Sequence, residues 1–379
     1  MDFKNYLVPG KTGLLIGIGG VSMSPLAEVL HDAGLDIRGS DMAESSNTLT
    51  LRERGIPIHI GHSADNVTDD ISFVIRTAAV HDDNPEVHEA HRRGIPVFER
   101  TQAWGALMRG YQNALCISGT HGKTTTTSMC THIMMAAEKD PTVMIGGTLP
   151  LLKACHRVGK GNTIIMESCE YYNSFLALNP TIAVVLNIEA DHLDFFKDLE
   201  DIKHSFRCFA ERVPAETGTV IANYDDANTM DALRGIARKV ITFGLNAKAD
   251  VYAQNIVHRG SVSEFDIYHR GNYFARVTLH VPGIHNVRNA LAATAAAIVL
   301  GVSPNAVKYG LAGFEGAGRR FDFKGKFQGA DLYDDYAHHP SELRALLDAV
   351  DTLNYQRTIV VFQPHTYSRT AKLFNDFVE

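Results

Sequence analysis

Ser118-Gly119-Thr120-His121-Gly122-Lys123-Thr124-Thr125-Thr126-Thr127 is the stretch that decides how the chain is read. An apolar run, Ala114-Leu115-Cys116-Ile117, precedes it, and Ser128 to Ala137, without Gly or Pro, follows it. That context predicts strand, loop, helix. Glycines in such a loop let backbone N–H groups approach phosphate oxygens, and the helix N-terminus adds favourable partial charge. Lys123 can reach terminal phosphates and the Thr124 hydroxyl can face a magnesium ion, so Gly119 to Thr125 form a candidate ATP loop.

Working outward, strands are expected at Asn162 to Met166 and Thr181 to Ile188, apolar enough to lie buried in a parallel sheet. The first ends in Glu167-Ser168-Cys169-Glu170 and the second in Asn187-Ile188-Glu189-Ala190-Asp191-His192. Open α/β sheets place ligands at such strand ends, and magnesium needs only a few protein oxygens beside phosphate and water. Two further strands, Thr219 to Asn223 and Val240 to Phe243, flank a helix near Asn228 to Ala237. The pattern then alternates at Val251 to Val257, Glu264 to His269 and Tyr273 to Val281, which predicts a small antiparallel sheet on the flank. His285-Asn286-Val287-Arg288-Asn289 opens an Ala-rich helix, and its amides suit the edge of a base.

Nearer the N-terminus, Gly13-Leu14-Leu15-Ile16 reads as a strand running into Gly17-Ile18-Gly19-Gly20 and a helix from Ser24 to Ala33. A second strand, Leu35 to Arg38, is expected to end in Gly39-Ser40-Asp41. This is the opening of a Rossmann-like unit, with a diphosphate loop and an acid for a ribose. Ser22 stands where the dinucleotide fingerprint has its third glycine, which weakens a redox-dinucleotide reading and leaves a diphosphate site intact. Phe73 to Val80 and Ile95 to Phe98 read as further strands, Asn84-Pro85-Glu86 opens a helix between them, and a boundary is expected near Tyr111 to Asn113.

Beyond the central region, Gly316-Ala317-Gly318-Arg319-Arg320 suits a clamp on transferring phosphoryl oxygens. A strand from Ala330 to Asp334 leads to Asp335-Tyr336-Ala337-His338-His339-Pro340 and a helix from Ser341 to Val350. A last strand, Thr358 to Phe362, leads to Gln363-Pro364-His365-Thr366-Tyr367-Ser368-Arg369.

The chain's 379 residues are too many for one ordinary domain. Hydrophobic content of 45% with 21% charged residues is that of a globular enzyme, and a net charge of −7 argues against non-specific nucleic-acid binding. Five cysteines without a Cys-x-x-Cys pair read as reduced core residues of a cytosolic protein. The longest apolar stretch, Ala290 to Val302, falls short of the roughly 18 residues a membrane span needs.

The phosphate loop is shorter than a Walker loop, and its form Gly-Thr-x-Gly-Lys-Thr resembles that of the Mur ligases, ATP-dependent amide-bond formers. The resemblance extends from the Gly17 loop to the Arg369 cluster, with the motifs in the family's order. It implies an α/β, three-domain architecture: a Rossmann-like nucleotide-sugar domain (1–110), a central P-loop ATPase-like domain with a small antiparallel flank (111–318) and a Rossmann-like amino-acid domain (319–379). Roughly 60 residues follow Arg319, fewer than a usual domain holds, so the last unit is expected to be incomplete.

The resemblance also implies roles. Gly17, Gly19, Gly20, Ser40, Asp41 and Thr77 would hold the UDP-sugar. Lys123, Glu170, His192 and Arg320 would be catalytic, with Thr124, Glu170 and His192 on magnesium. Asn286 and Asn289 would meet adenine, Arg319 the phosphates and Asp335 the ribose, while His338, His365 and Arg369 would face the amino acid. ATP and Mg2+ would be the cofactors, UDP-N-acetylmuramate and L-alanine the substrates, and the cytoplasm the location. A sibling ligase adding another amino acid or a peptide, a redox enzyme on the Gly17 loop, and a binding fragment without turnover are the alternatives.

Overall fold

The quoted loop lies at the carboxyl end of an interior strand of a ten-stranded sheet in the computed structural model, which describes residues 2–77 and 79–379. The chain forms two compact units, one of residues 1–111 with 177–179 and one of residues 112–176 with 180–379. Residues 319–379 fall within the second unit.

The first unit is a five-stranded parallel sheet built from β1 (Thr12–Ile16), β2 (Asp36–Asp41), β3 (Ile58–Ile60), β4 (Ile71–Arg76) and β5 (Val97–Glu99). Its order is β3-β2-β1-β4-β5, the doubly wound arrangement. All five residues of β1 are buried. Helices α1 (Ser24–Asp32), α2 (Ser46–Glu53), α3 (Pro85–Arg92) and α4 (Arg100–Met108) complete the unit. Asn84 caps α3 and Pro85 fills its first turn, as the sequence suggests.

Two boundaries differ from expectation. Strand β2 runs on through Asp41, because Gly39, Ser40 and Asp41 pair in register with Ile58, His59 and Ile60. Strand β4 stops at Arg76, short of Val80, and Ala78 lies outside the described residues.

The second unit opens with β6 (Asn113–Ser118), α5 (Lys123–Ala136), β7 (Thr142–Leu149), β8 (Ala154–Arg157), β9 (Thr163–Glu167) and β10 (Ile182–Val185). After α6 (Leu199–Glu211) come β11 (Thr219–Asn223), α7 (Ala227–Ala232) and β12 (Lys239–Gly244). Strands β13 (Val251–Arg259), β14 (Val262–His269) and β15 (Asn272–Leu279) follow, then α8 (Ile284–Val299) and α9 (Pro304–Ala312). The order is β15-β14-β13-β12-β11-β10-β6-β9-β7-β8.

The antiparallel strands do not form a sheet apart. β13 pairs in parallel with β12, and the meander prolongs the main sheet. Helix α5 starts at Lys123 rather than Ser128, because the Thr126 N–H already bonds back to the Gly122 carbonyl. It packs on α8 and α9, where buried Ala290, Ala293 and Ala297 allow close approach.

The sequence from 319 onward gives a hairpin, β16 (Asp322–Phe327) with β17 (Ala330–Asp334), then α10 (Pro340–Asp351), α11 (Tyr367–Lys372) and α12 (Phe374–Val378). The strand expected over Thr358 to Phe362 does not form. Its backbone finds no neighbouring strand among the described residues, and Ile359 and Val361 are 71% and 95% exposed. Apolar β-branched composition alone does not make a strand without a ladder partner.

Candidate active site

Strand β6 lies between β9 and β10, so the loops leaving the three carboxyl ends share one crevice. This explains how residues 119–124, 167–170 and 187–192 meet. Gly122 caps α5 with φ of +82°, and a Cβ there would stand 2.6 Å from Asn289 Oδ1. Only glycine suits both demands. Asn187 clasps the loop by accepting the His121 N–H at 2.8 Å and donating Nδ2 to the His121 carbonyl at 3.1 Å.

Lys123 folds over this loop. Its ammonium donates to the Gly119 carbonyl, to the Thr120 carbonyl at 3.0 Å and to the Glu170 carboxylate at 3.0 and 3.2 Å. Burial would weaken its hold on the proton, but Glu170 overrides this and pushes the pKa above its ordinary value. The Thr124 hydroxyl donates to Glu167 at 3.0 Å, and Glu167 also accepts the Gly146 N–H at 2.6 Å. Thr125 lies in the first turn of α5.

His192 adopts φ of +52°, its N–H bonded to Asp191 Oδ1 at 2.8 Å. Its Nε2 stands 3.8 Å from Glu170, and its ring stacks on Tyr171 at 4.4 Å. Burial depresses its pKa, which favours the neutral imidazole despite Asp191 and Glu170 nearby.

The C-terminal segment is joined to these loops. Arg369 donates to both oxygens of Asp191, at 3.0 and 3.2 Å. His121 bonds Glu342 through Nδ1 at 3.0 Å, and its Nε2 lies 3.3 Å from Glu189. Burial alone would lower the His121 pKa, but Glu189 and Glu342 outweigh it and raise it to about 9. His339 packs at 4.8 Å from the His121 ring.

Asp335 accepts the Phe321 and Ala337 N–H groups, each at 2.7 Å, while burial raises its pKa. Arg319 and Arg320 both sit over the Tyr336 ring, at 4.6 and 5.0 Å. His338 bonds the Tyr336 carbonyl through Nδ1 at 2.7 Å, and His365 lies 6.3 Å from it, ring to ring, on an exposed stretch.

A cavity of about 580 Å³ lies beside the cluster, lined in part by Glu189, His285, Arg288, His339, Ser341 and Arg344. At the start of α8, Asn286 donates to the Pro282 carbonyl at 2.7 Å and accepts from Asn289 at 3.2 Å. Burial, with Arg288 adding to it, lowers the His285 pKa to about 4.

In the first unit, Gly17 has φ of +77° and faces Thr77, whose Cγ2 would stand 2.9 Å from an added Cβ. The Gly17 and Ile18 N–H groups bond the Ser40 carbonyl at 2.8 and 3.0 Å. Asp41 accepts the Gly19 N–H at 2.8 Å, and Gly20 closes the turn onto the Gly17 carbonyl at 3.1 Å. The Ser40 hydroxyl is fully buried and donates to Glu86 at 2.8 Å, which also holds His62 and Asn66. The loop and acid are therefore together, but Ser40 supports the loop from beneath.

Of the residues named from the sequence, Lys123 and His192 both lie beside Glu170, while the Thr124 hydroxyl turns to Glu167. Sequence reasoning did not select Glu167, Glu189, His339, Ser341 or Glu342. Glu167 and Glu189 had a signal, since each stands at the end of a strand beside the loop.

Matches to family models run along the chain in order: the Mur ligase family catalytic domain over residues 15–112, the Mur ligase middle domain over 117–297 and the Mur ligase glutamate ligase domain over 319–379. The chain belongs to the Mur ligase family, whose members are ATP-dependent ligases. Among its relatives, the UDP-N-acetylmuramate–L-alanine ligase of Agathobacter rectalis is 46% identical over 365 residues, covering 96% of this chain and 79% of its own length. The solved UDP-N-acetylmuramate–alanine ligase of Thermotoga maritima superposes with a TM-score of 0.78 at 31% identity, covering 96% of this chain and 83% of that one. A UDP-N-acetylmuramate:L-alanyl-gamma-D-glutamyl-meso-diaminopimelate ligase from Neisseria meningitides gives 0.73 at 26% identity, covering 81% and 99%.

Proposed function

We propose that this chain joins L-alanine to the lactyl carboxylate of UDP-N-acetylmuramate, cleaving ATP to ADP and phosphate, in peptidoglycan precursor synthesis. One observation carries the reading: Lys123, Glu170 and His192 meet at the end of β6 in a chain 46% identical to a ligase of that name.

A carboxylate oxygen of the sugar attacks the γ-phosphorus, and the bond to the β–γ bridging oxygen breaks to release ADP. The alanine amine then attacks the acyl carbon, loses a proton and expels phosphate, leaving the amide. Lys123 exchanges Glu170 for a phosphate oxygen, and Arg320 with Arg319 stabilises charge spreading over the transferring group. The backbone N–H groups of Gly119 to Thr125 hold the phosphates, Asn286 and Asn289 the adenine and Asp335 the ribose. His338, His365 and Arg369 receive alanine, for which Arg369 must share or leave Asp191. Gly17, Gly19, Gly20, Ser40, Asp41 and Thr77 build the nucleotide-sugar site, with Ser40 acting through its backbone.

A hydroxyl and a buried carboxylate beside an imidazole around one crevice give two oxygen donors out of three, a set that suits magnesium with water and phosphate. Thr124, Glu170 and His192 would hold it. It would neutralise phosphate charge when bound. Docking of the segment after Arg319–Arg320 excludes water that would hydrolyse the acyl phosphate. No helix among the described residues is long and apolar enough to cross a membrane. The cytoplasm, where ATP and the nucleotide sugar are at hand, is the location this reading gives. As domains, 1–110, 111–318 and 319–379 take sugar, ATP and amino acid in turn.

The test is phosphate release from ATP and magnesium, with UDP-N-acetylmuramate present and L-alanine, glycine, L-serine or tripeptide added in turn. Release that needs both sugar and alanine supports the reading. Release only with tripeptide assigns the chain to the peptide-adding branch, and no release with any donor overturns turnover by this chain.

A further inference from the structure

Three ligand atoms converge on one hydroxyl beside the phosphate loop. Ser341 Oγ lies 3.0 Å from His121 Nε2, 2.7 Å from Glu189 Oε2 and 2.8 Å from His339 Nδ1. A hydroxyl has one proton and can donate to only one of the three. The donors also face each other: His121 Nε2 and Glu189 Oε2 are 3.3 Å apart, His339 Nδ1 and Glu189 Oε2 3.8 Å, and all lie within 4.8 Å of one another.

Ligands about 2.0–2.2 Å from zinc at tetrahedral angles stand about 3.4 Å apart. Two sides of the triangle are already close to that, and a turn of the His339 ring shortens the third. Two imidazoles and a carboxylate are a zinc donor set, whereas magnesium prefers oxygen throughout. The outer arrangement fits as well. His121 Nδ1 is bonded to Glu342, the carboxylate–imidazole pairing that orients metal-bound histidines.

We propose that His121, Glu189 and His339 form a site for a zinc-class transition-metal ion, with the Ser341 hydroxyl or a water as fourth ligand. The three ligands come from the phosphate loop, the loop after β10 and the residue before α10. An ion there ties the start of α10 to the phosphate loop, so, on the proposed reading in which the segment after Arg319–Arg320 docks and leaves during the reaction, it acts as a brake on turnover. This site is separate from Thr124, Glu170 and His192, and differs from them in donor chemistry.

Cobalt(II) is the probe. The chelator-treated 379-residue chain is expected to take up one Co2+ with the intense visible bands of a four-coordinate ion and no near-UV sulfur band. Zinc bleaches these bands and excess magnesium does not. His339→Ala weakens uptake at least about tenfold, while Ser341→Ala keeps the bands because water replaces the hydroxyl. Glu189→Gln serves the same purpose if circular dichroism shows His339→Ala misfolded.

His204 and the half-buried Cys208, 3.5 Å apart on α6, are a competing cation site that would announce itself by a sulfur charge-transfer band lost in Cys208→Ser. That result, a pale six-coordinate spectrum, or bands unchanged in both His339→Ala and Glu189→Gln would overturn the assignment. For the brake, zinc is expected to slow amide exchange across residues 338–345 at least about tenfold in the parent chain and not in His339→Ala. Equal exchange with and without zinc would refute it.

Discussion

Arg369 and Asp191 form a two-pronged ion pair, Nε and Nη2 donating at 3.0 and 3.2 Å, with each side chain only 9% exposed. Burial would raise the Asp191 pKa, but Arg369 and His192 hold it below the ordinary carboxylate value. The guanidinium that the resemblance turns toward the incoming amino acid thus already holds a carboxylate of the protein.

Removing one partner leaves the other charge buried, at a cost of about 3–5 kcal/mol. Asp191→Ala and Arg369→Ala are each expected to lower stability to urea by this order, and the double variant by much less than the sum. Additive losses within about 0.5 kcal/mol would mean that the two groups do not cooperate.

Lys123→Ala is expected to cut kcat/KM for ATP about a hundred- to a thousandfold, since on the proposed mechanism it removes a donor to the transferring phosphoryl group. UDP-sugar binding, measured calorimetrically, should remain because the Gly17 loop belongs to the other compact unit. Retained turnover would remove Lys123 from the chemistry.

Gly122→Ala forces a side chain into a left-handed conformation at roughly 1–2 kcal/mol and drives a methyl toward Asn289. ATP affinity is expected to fall about tenfold or more. An unchanged dissociation constant would mean that the loop can adopt another shape without loss.

His121 makes stability depend on pH in metal-free protein. Its folded pKa of about 9 exceeds the unfolded value of 6.5, so its contribution is complete below 6.5 and disappears as pH rises through 9. The midpoint of thermal unfolding should therefore drop between pH 7 and 10, and His121→Asn should flatten that slope. Glu342 has the opposite sign. Burial opposes its ionisation but His121 holds its pKa below the ordinary 4.5, so its share is present above 4.5 and lost in acid.

The parts of this molecule legible in the sequence are those with local causes. Gly17, Gly119 and Gly122 marked turns because the backbone there needs φ above zero, and Asn84-Pro85 marked a helix start. Glu170 and His192 could be placed because strand ends of one sheet converge. The pairing of His121 with Glu342 spans 221 residues and has no local sign. The failed strand at Thr358 to Phe362 has the same origin, since strand formation depends on a neighbour that composition cannot supply. Ser40 was named for its position, yet burial turned its hydroxyl to Glu86.

Asn187 has a kinetic meaning. By gripping His121 through both its N–H and its carbonyl, while its own carbonyl accepts the Thr120 N–H at 3.1 Å, it holds the phosphate loop in shape. A nucleotide arriving at such a cradle has little chain to order, and affinity rises through the cost it avoids rather than through contacts it adds. Association should then be governed by encounter, leaving departure to set residence time.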